Sequence, residues 1–295
     1  MFDLRYHVAS LAAVFLALII GILVGVGISD RGLVDKAKTG LLEQRVANLE
    51  NRLSKASQQS SELAREQAAA QSFIDETYPV LARNRLHGKR IAVVFIGSVD
   101  RDVGATINGA LTDAGAQQLR LRALKVPIDP KQLDATLASN PENRSYVGNA
   151  KLEALGSALG QELMLGGETP LWNALTDALV EERAGANKQP ADGVIVVRTV
   201  GPQRAGTSHF LLGLYEGLAA AGVPAVGVET TDAAPSAVNI FRRAGLSSVD
   251  DVDRPAGRLA LVLLLQGAPP GHYGLKQSAK NGFLPAIPKP AAAGG

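Results

Sequence analysis

The first apolar pattern in the chain is a block rather than a period. Residues 8–28 read VASLAAVFLALIIGILVGVGI, without a charge or a proline. At about 1.5 Å of rise per residue such a run reaches roughly 30 Å, the thickness of a bilayer's hydrocarbon core. It predicts a transmembrane helix. A cleaved secretory signal has a shorter apolar stretch followed by an A-x-A-like site, whereas Ser29, Asp30 and Arg31 follow here. Residues 1–30 are therefore expected to be a retained, single-pass signal anchor. Within it Gly21 and Gly25 form a G-x-x-x-G, a spacing that lets two helices approach closely in lipid.

Beyond the block, apolar residues recur at alternating steps of three and four. Leu42, Val46, Leu49, Leu53, Ala56, Ser60, Leu63, Gln67, Ala70 and Ile74 mark one seam, and only Ser60 and Gln67 among them are polar. This heptad spacing predicts a coiled-coil stalk over residues 31–78. Val46 and Leu53 take the a position, Leu49 and Leu63 the d position, and Arg45 at g faces Glu50 at e of a parallel neighbour. The alanines and the two polar a residues weaken the seam after Leu53, leaving a surface suited to a partner helix. Pro79 is expected to end the helix, because it lacks a donor and restricts Tyr78 before it.

From residue 90 the pattern changes to short β-branched runs. Residues 90–96 (RIAVVFI), 118–124, 193–200 (GVIVVRTV) and 224–229 read as buried strands. Residues 103–113, closed by Gly115, and residues 209–221 and 237–244 read as helices between them. Residues 127–167 form a helical stretch broken by Pro130, Pro141 and Gly166-Gly167, continued over 171–183, and residues 258–266 (RLALVLLLQ) read as a fifth strand or a buried helix. Strands alternating with helices imply an α/β class: a doubly wound, mostly parallel sheet over residues 79–280 with a helical insert near 127–183. The Pro/Ala/Gly-rich residues 281–295 are expected to be a disordered tail.

Composition narrows the function. A net charge of +2 gives no reason to expect nucleic acid as a partner. There is no cysteine, only Met1 and Met164 supply thioethers, and the histidines are His7, His87, His209 and His272, far apart in sequence. That is a poor donor set for copper, since Cu(I) prefers thiolate and thioether and Cu(II) prefers clustered imidazole.

In the assumed sheet a ligand would sit beyond the carboxyl ends of the strands. Asp100, Arg204, Thr207 and Glu229 fall there as a candidate crevice, with Ser98, Asp102 and residues 230–232 beside them. Residues 201–208 (GPQRAGTS) have the G-x-x-x-x-G spacing of a phosphate loop, but Thr207 stands where the phosphate-binding lysine belongs. The stretch is therefore expected to be a tight turn with Thr207 or Ser208 capping the next helix. Asp100, Asp102 and Glu229 would suit a hard cation only as scattered loop carboxylates, and His209 has no base or nucleophile partner to act with. No Ser/His/Asp order, paired-carboxylate site or HExxH helix emerges, so neither an enzyme nor a cofactor is expected.

The opening MFDLRYHVASLAAVFLALIIGILVG, with Arg5-Tyr6-His7, Ser10, Phe15, Gly21 and Gly25, resembles the start of the actinobacterial copper-transporter family, MctB-like and also described as SteB. The closing QGAPPGHYG of residues 266–274, Gly282 and Leu284-Pro285 are similar to that family's final segment. The resemblance implies a membrane-anchored envelope protein acting in copper efflux, with His7 and His272 as candidate metal contacts. It also implies an alternative, a coiled-coil scaffold that regulates peptidoglycan hydrolases in cell separation. A pore needs a closed barrel or several helices, and one span per chain supplies neither, so transport would require many copies.

Basic residues are more frequent after the apolar block than before it, which by charge alone favours a cytoplasmic remainder. The six- to seven-residue leading tail and the resemblance point the other way. The C-terminal part is expected outside the cytoplasm, anchored in the cell membrane as a homodimer or higher oligomer, with a partner coiled-coil protein and copper ions as candidate partners.

Overall fold

The computed structural model describes residues 4–28, 31–185 and 188–287. The chain divides into two compact units, residues 1–70 and 71–295.

In the first unit, α1 (Leu4–Ile28) is a continuous helix. Its 22-residue core Tyr6–Gly27 has a mean hydropathy of 2.8 and is long and apolar enough to cross a membrane. Helix α2 (Arg31–Ala82) runs for 52 residues. Its seam is bare: Leu42, Val46, Leu49, Leu53 and Leu63 are 52–72% exposed.

Pro79 does not end α2. The helix continues through it to Ala82, because Tyr78 and Ala82 bury themselves against Leu259 and Leu263 while Arg258 stacks 4.9 Å above the Tyr78 ring. Pro79 faces solvent, so its missing donor costs one helical bond that tertiary packing offsets. Asn84, in the left-handed region at φ 57°, lies just beyond the helix end.

The second unit carries a seven-stranded sheet in the order β3-β2-β1-β4-β5-β6-β7. Its strands are β1 (Arg90–Ile96), β2 (Gln117–Leu124), β3 (Val180–Gly185), β4 (Gly193–Arg198), β5 (Ala225–Val228), β6 (Ser247–Val249) and β7 (His272–Tyr273). All neighbours are parallel except β2 and β3. Alternation along β1 serves two cores. Ala92, Val94 and Ile96 enter one face with α4 (Pro130–Ser139), α5 (Leu152–Leu165), α6 (Pro170–Leu179), α7 (Ala205–Ala219) and α8 (Val238–Arg243). Ile91, Val93 and Phe95 enter the other with α3 (Arg101–Asp113) and α9 (Pro255–Gln266). Burial on both faces explains why β1 reads as a continuous apolar run.

One open alternative resolves and one further reading needs correction. Residues 258–266 belong to helix α9, opened by Pro255 and closed by left-handed Gly267 at φ 105°. Ten of its twelve residues are buried, and a helix apolar all round shows no period to tell it from a strand. Residues 180–183, expected as helix, form part of β3 instead. This antiparallel edge strand is solvent-facing after Val180, and pairing with β2 rather than propensity sets its conformation. The short β6 and β7, three and two residues long, carry too few positions for a pattern.

Helices α5 and α7 meet backbone to backbone. A Cβ on Gly213 would fall 1.9 Å from the Glu153 carbonyl oxygen, and one on Gly156 would fall 2.1 Å from that of Phe210. Gly160 and Gly217 repeat the contact one turn on, against Leu214 and Ser157. The partners rise in number together, so the two helices run parallel.

Past α9, the Asn281 amide donates to the His272 carbonyl and the Gly274 amide to that of Gly282. Pro285 is buried. The expected tail is thus bound to the domain at its beginning, and residues 288–295 lie outside the described residues.

Candidate functional site

The sheet order turns around between β1 and β4, since the chain builds outward from β1 through β2 on one side and from β4 through β5 on the other. Beyond the carboxyl ends of such a pair the connections diverge and leave a crevice. A cavity of about 300 Å³ opens there. Ile96 ends β1 and Arg198 ends β4, and both line it. Its walls are apolar, from Val200, Leu211, Leu212, Tyr215 and Ile240. Its polar lining includes Arg198, Gln203, Ser208, His209 and Arg243, and among the described residues no carboxylate lines it.

Local folding sets these groups. Helix α7 begins at Ala205, which takes φ 48°, with Arg204 at the N-cap position and no side chain capping the helix. The expected cap by Thr207 or Ser208 is therefore absent. The Thr207 hydroxyl, buried, accepts from the Ile128 amide at 3.2 Å, and the Ser208 hydroxyl donates to the Ala205 carbonyl at 2.7 Å. Both lie inside the first turn and are drawn to these partners. Arg198 Nη2 donates to the Pro235 carbonyl, while its Nη1 is buried without a hydrogen-bond partner among the described residues. Burial pushes the Tyr215 phenol well up, and the Arg198 charge draws it partly back.

The four residues expected at the crevice take separate partners. Asp100 caps α3, accepting from the amides of Asp102 and Val103 at 3.0 and 3.1 Å. Arg204 is exposed and Thr207 is held as above. Glu229, 2% exposed, accepts from the Ala237 amide and from Lys276 Nζ at 2.9 Å. Lys276 Nζ also donates to the Thr230 and Ala233 carbonyls at 2.8 and 2.7 Å, so all three ammonium hydrogens are used.

Beside that pair, Asp250 accepts from the Leu275 and Lys276 amides. Asp251, fully buried, has both carboxylate oxygens without a hydrogen-bond partner among the described residues. Burial first, then the neighbouring Asp250 and Asp253 charges, raise its pKa from 3.8 to about 7.

His272 Nδ1 lies 3.0 Å from the Ser248 hydroxyl, and burial, with Arg242 nearby, holds its pKa below the usual imidazole value. His7 lies on α1 and is exposed. Among the described residues no three His, Cys, Asp or Glu side chains gather as a metal site.

Reading the sequence missed Arg198, Tyr215 and Arg243. Arg198 was legible, as a cation closing the buried run GVIVVR. Arg243 and Tyr215 reach the cavity only through the packing of α8 and α7.

A family model described as "Copper transport outer membrane protein, MctB" matches residues 1–284. Proteins named Copper transporter MctB from Mycobacterium tuberculosis and Mycobacterium bovis are 26% identical over 323 aligned residues, covering 95% of this chain and 98% of theirs. The match takes in the apolar helix, the long helix and the α/β domain together, so the chain belongs to the MctB family.

Proposed function

We propose that the chain is a membrane-anchored component of copper transport and copper homeostasis at the cell envelope. The observation that carries this reading is the family match over residues 1–284, which includes the anchor and the whole domain. Copper is its cargo. The chain has no cysteine and two methionines, a donor set unsuited to retaining a soft ion. His7 and His272 are the imidazoles proposed to touch copper in passage. The reading assigns the α/β domain, outside the cytoplasm, neither catalysis nor a cofactor.

One span per chain makes no pore, so this reading requires copies side by side. Gly21 and Gly25 would bring anchors together in lipid. The exposed leucines of α2 support a parallel stalk in which Arg45 of one copy meets Glu50 of the next. The relatives' names lend no support to the alternative of a scaffold that regulates peptidoglycan hydrolases.

Deleting the gene should raise cell-associated copper and lower copper tolerance, with both restored by the intact chain and less well by His7→Ala with His272→Ala. Unchanged copper content and tolerance would refute the reading. In this cysteine-free chain, Leu49→Cys at d should oxidise to a crosslinked dimer in membranes, while Asn51→Cys at f should not. Equal crosslinking would remove the seam.

A further inference from the structure

The cavity at the β1/β4 switch point plays no part in the proposed copper passage. Its composition is specific. Val200, Leu211, Leu212 and Ile240 offer apolar walls, and Arg198 with the exposed Arg243 and His209 puts basic groups at a partly open cavity that, among the described residues, no carboxylate lines. A guanidinium nitrogen buried without an acceptor is costly, and Arg198 Nη1 is in that state. Its sister Nη2 is fixed on the Pro235 carbonyl, which holds the fork in place at the end of β4. The amino end of α7, which has no side-chain cap, adds its positive dipole on the same side through Ser208.

We propose that this cavity binds a small organic carboxylate with an apolar, aromatic-sized body. The carboxylate supplies the acceptor that Arg198 Nη1 lacks, with Arg243 adding charge and His209 a ring nitrogen, and the body displaces water from the Leu211, Leu212 and Ile240 surface. A volume of about 300 Å³ admits a fused bicyclic ring and excludes a dinucleotide. Inorganic phosphate satisfies the charges but leaves the apolar walls wet, so charge alone does not fill the site.

The test is calorimetry on the full chain in lipid nanodiscs, with empty nanodiscs as blank and 2-naphthoate as probe. Naphthoate should bind with one site per chain, and the neutral 2-naphthamide and inorganic phosphate should each bind at least tenfold more weakly. Arg198→Gln should weaken naphthoate at least tenfold. Arg243→Gln, at an exposed position, should weaken it severalfold. Leu212→Trp, which fills the space, should abolish binding, and Arg204→Gln, outside the lining, should change nothing. Naphthoate and naphthamide binding alike, phosphate binding as tightly as naphthoate, or Leu212→Trp binding normally would each overturn the proposal. Copper tolerance is not the readout, so failure here leaves the copper reading untouched.

Discussion

The approach of α5 and α7 can be tested with one methyl group. Gly213→Ala places a Cβ 1.9 Å from the Glu153 carbonyl oxygen and 2.7 Å from its carbon, both backbone atoms that cannot rotate away. To regain ordinary contact the helices must part by roughly 1.5 Å. Phe210, Leu214 and Leu218 on α7 and Leu155 and Leu159 on α5 sit in the same buried cluster. Loosening that cluster costs about 3 kcal/mol, against about 1 kcal/mol gained because alanine favours a helix over glycine. A net loss of about 2 kcal/mol corresponds to a midpoint roughly 4–8 °C lower for a domain of this size. Gly109, inside α3, meets nothing within 4 Å. Gly109→Ala should therefore take the propensity gain alone and raise the midpoint by roughly 2–4 °C. The assay is built into the chain. Trp172, its single tryptophan, is 2% exposed and donates Nε1 to the Leu159 carbonyl of α5 at 2.7 Å. Its fluorescence during thermal and urea unfolding of the detergent-solubilised protein reports this domain alone. If Gly213→Ala stabilises the protein as Gly109→Ala does, the two helices are not in backbone contact.

Three more predictions concern buried charge and packing. Asp251, with a folded pKa of about 7 against 3.8 ordinarily, binds a proton in the folded state that the unfolded chain releases. Its stabilising contribution is therefore full below about pH 4 and is lost as pH rises through about 7, so Asp251→Asn should be the more stable protein at pH 8, with an advantage that shrinks as pH falls and is gone below about pH 4. A stability difference independent of pH would contradict the assignment. Lys276→Met should cost about 3–5 kcal/mol in urea unfolding, because Glu229 is left buried without its cation, and adding Glu229→Gln should recover part of that loss. No recovery in the double variant would mean that the charge pair is not what Lys276 supplies. Leu263→Ala, at a position 0% exposed between α9 and Tyr78, should cost about 2–5 kcal/mol and fray the last turn of α2. Unchanged amide exchange around Tyr78 would show that α9 does not carry that turn past Pro79.

What could be read from the sequence followed how much of each element's conformation is set locally. A lipid-length apolar block, β-branched runs bounded by glycine and a glycine-closed α3 state their own geometry, and α1, β1, β2, β4 and α3 lie where those patterns put them. The failures all required a partner from elsewhere in the chain. Pro79 remains helical because α9 covers Tyr78 and Ala82. Val180–Gly185 is a strand because β2 offers an edge. Helix α9, which read equally as a strand or a buried helix, hid its period by being buried on every side. The site followed the same division. Its location beyond β1 and β4 came from topology alone, while its chemistry did not. The polar residues Asp100, Thr207 and Glu229 are held by backbone amides nearby, as polar groups beside helix ends usually are. The cavity instead takes its charge from Arg198 and Arg243, which lie at the ends of β4 and α8. A cation at the end of a fully buried strand is the more informative signal, because it must either reach solvent or find an anion, and Arg198 Nη1 has found no protein acceptor.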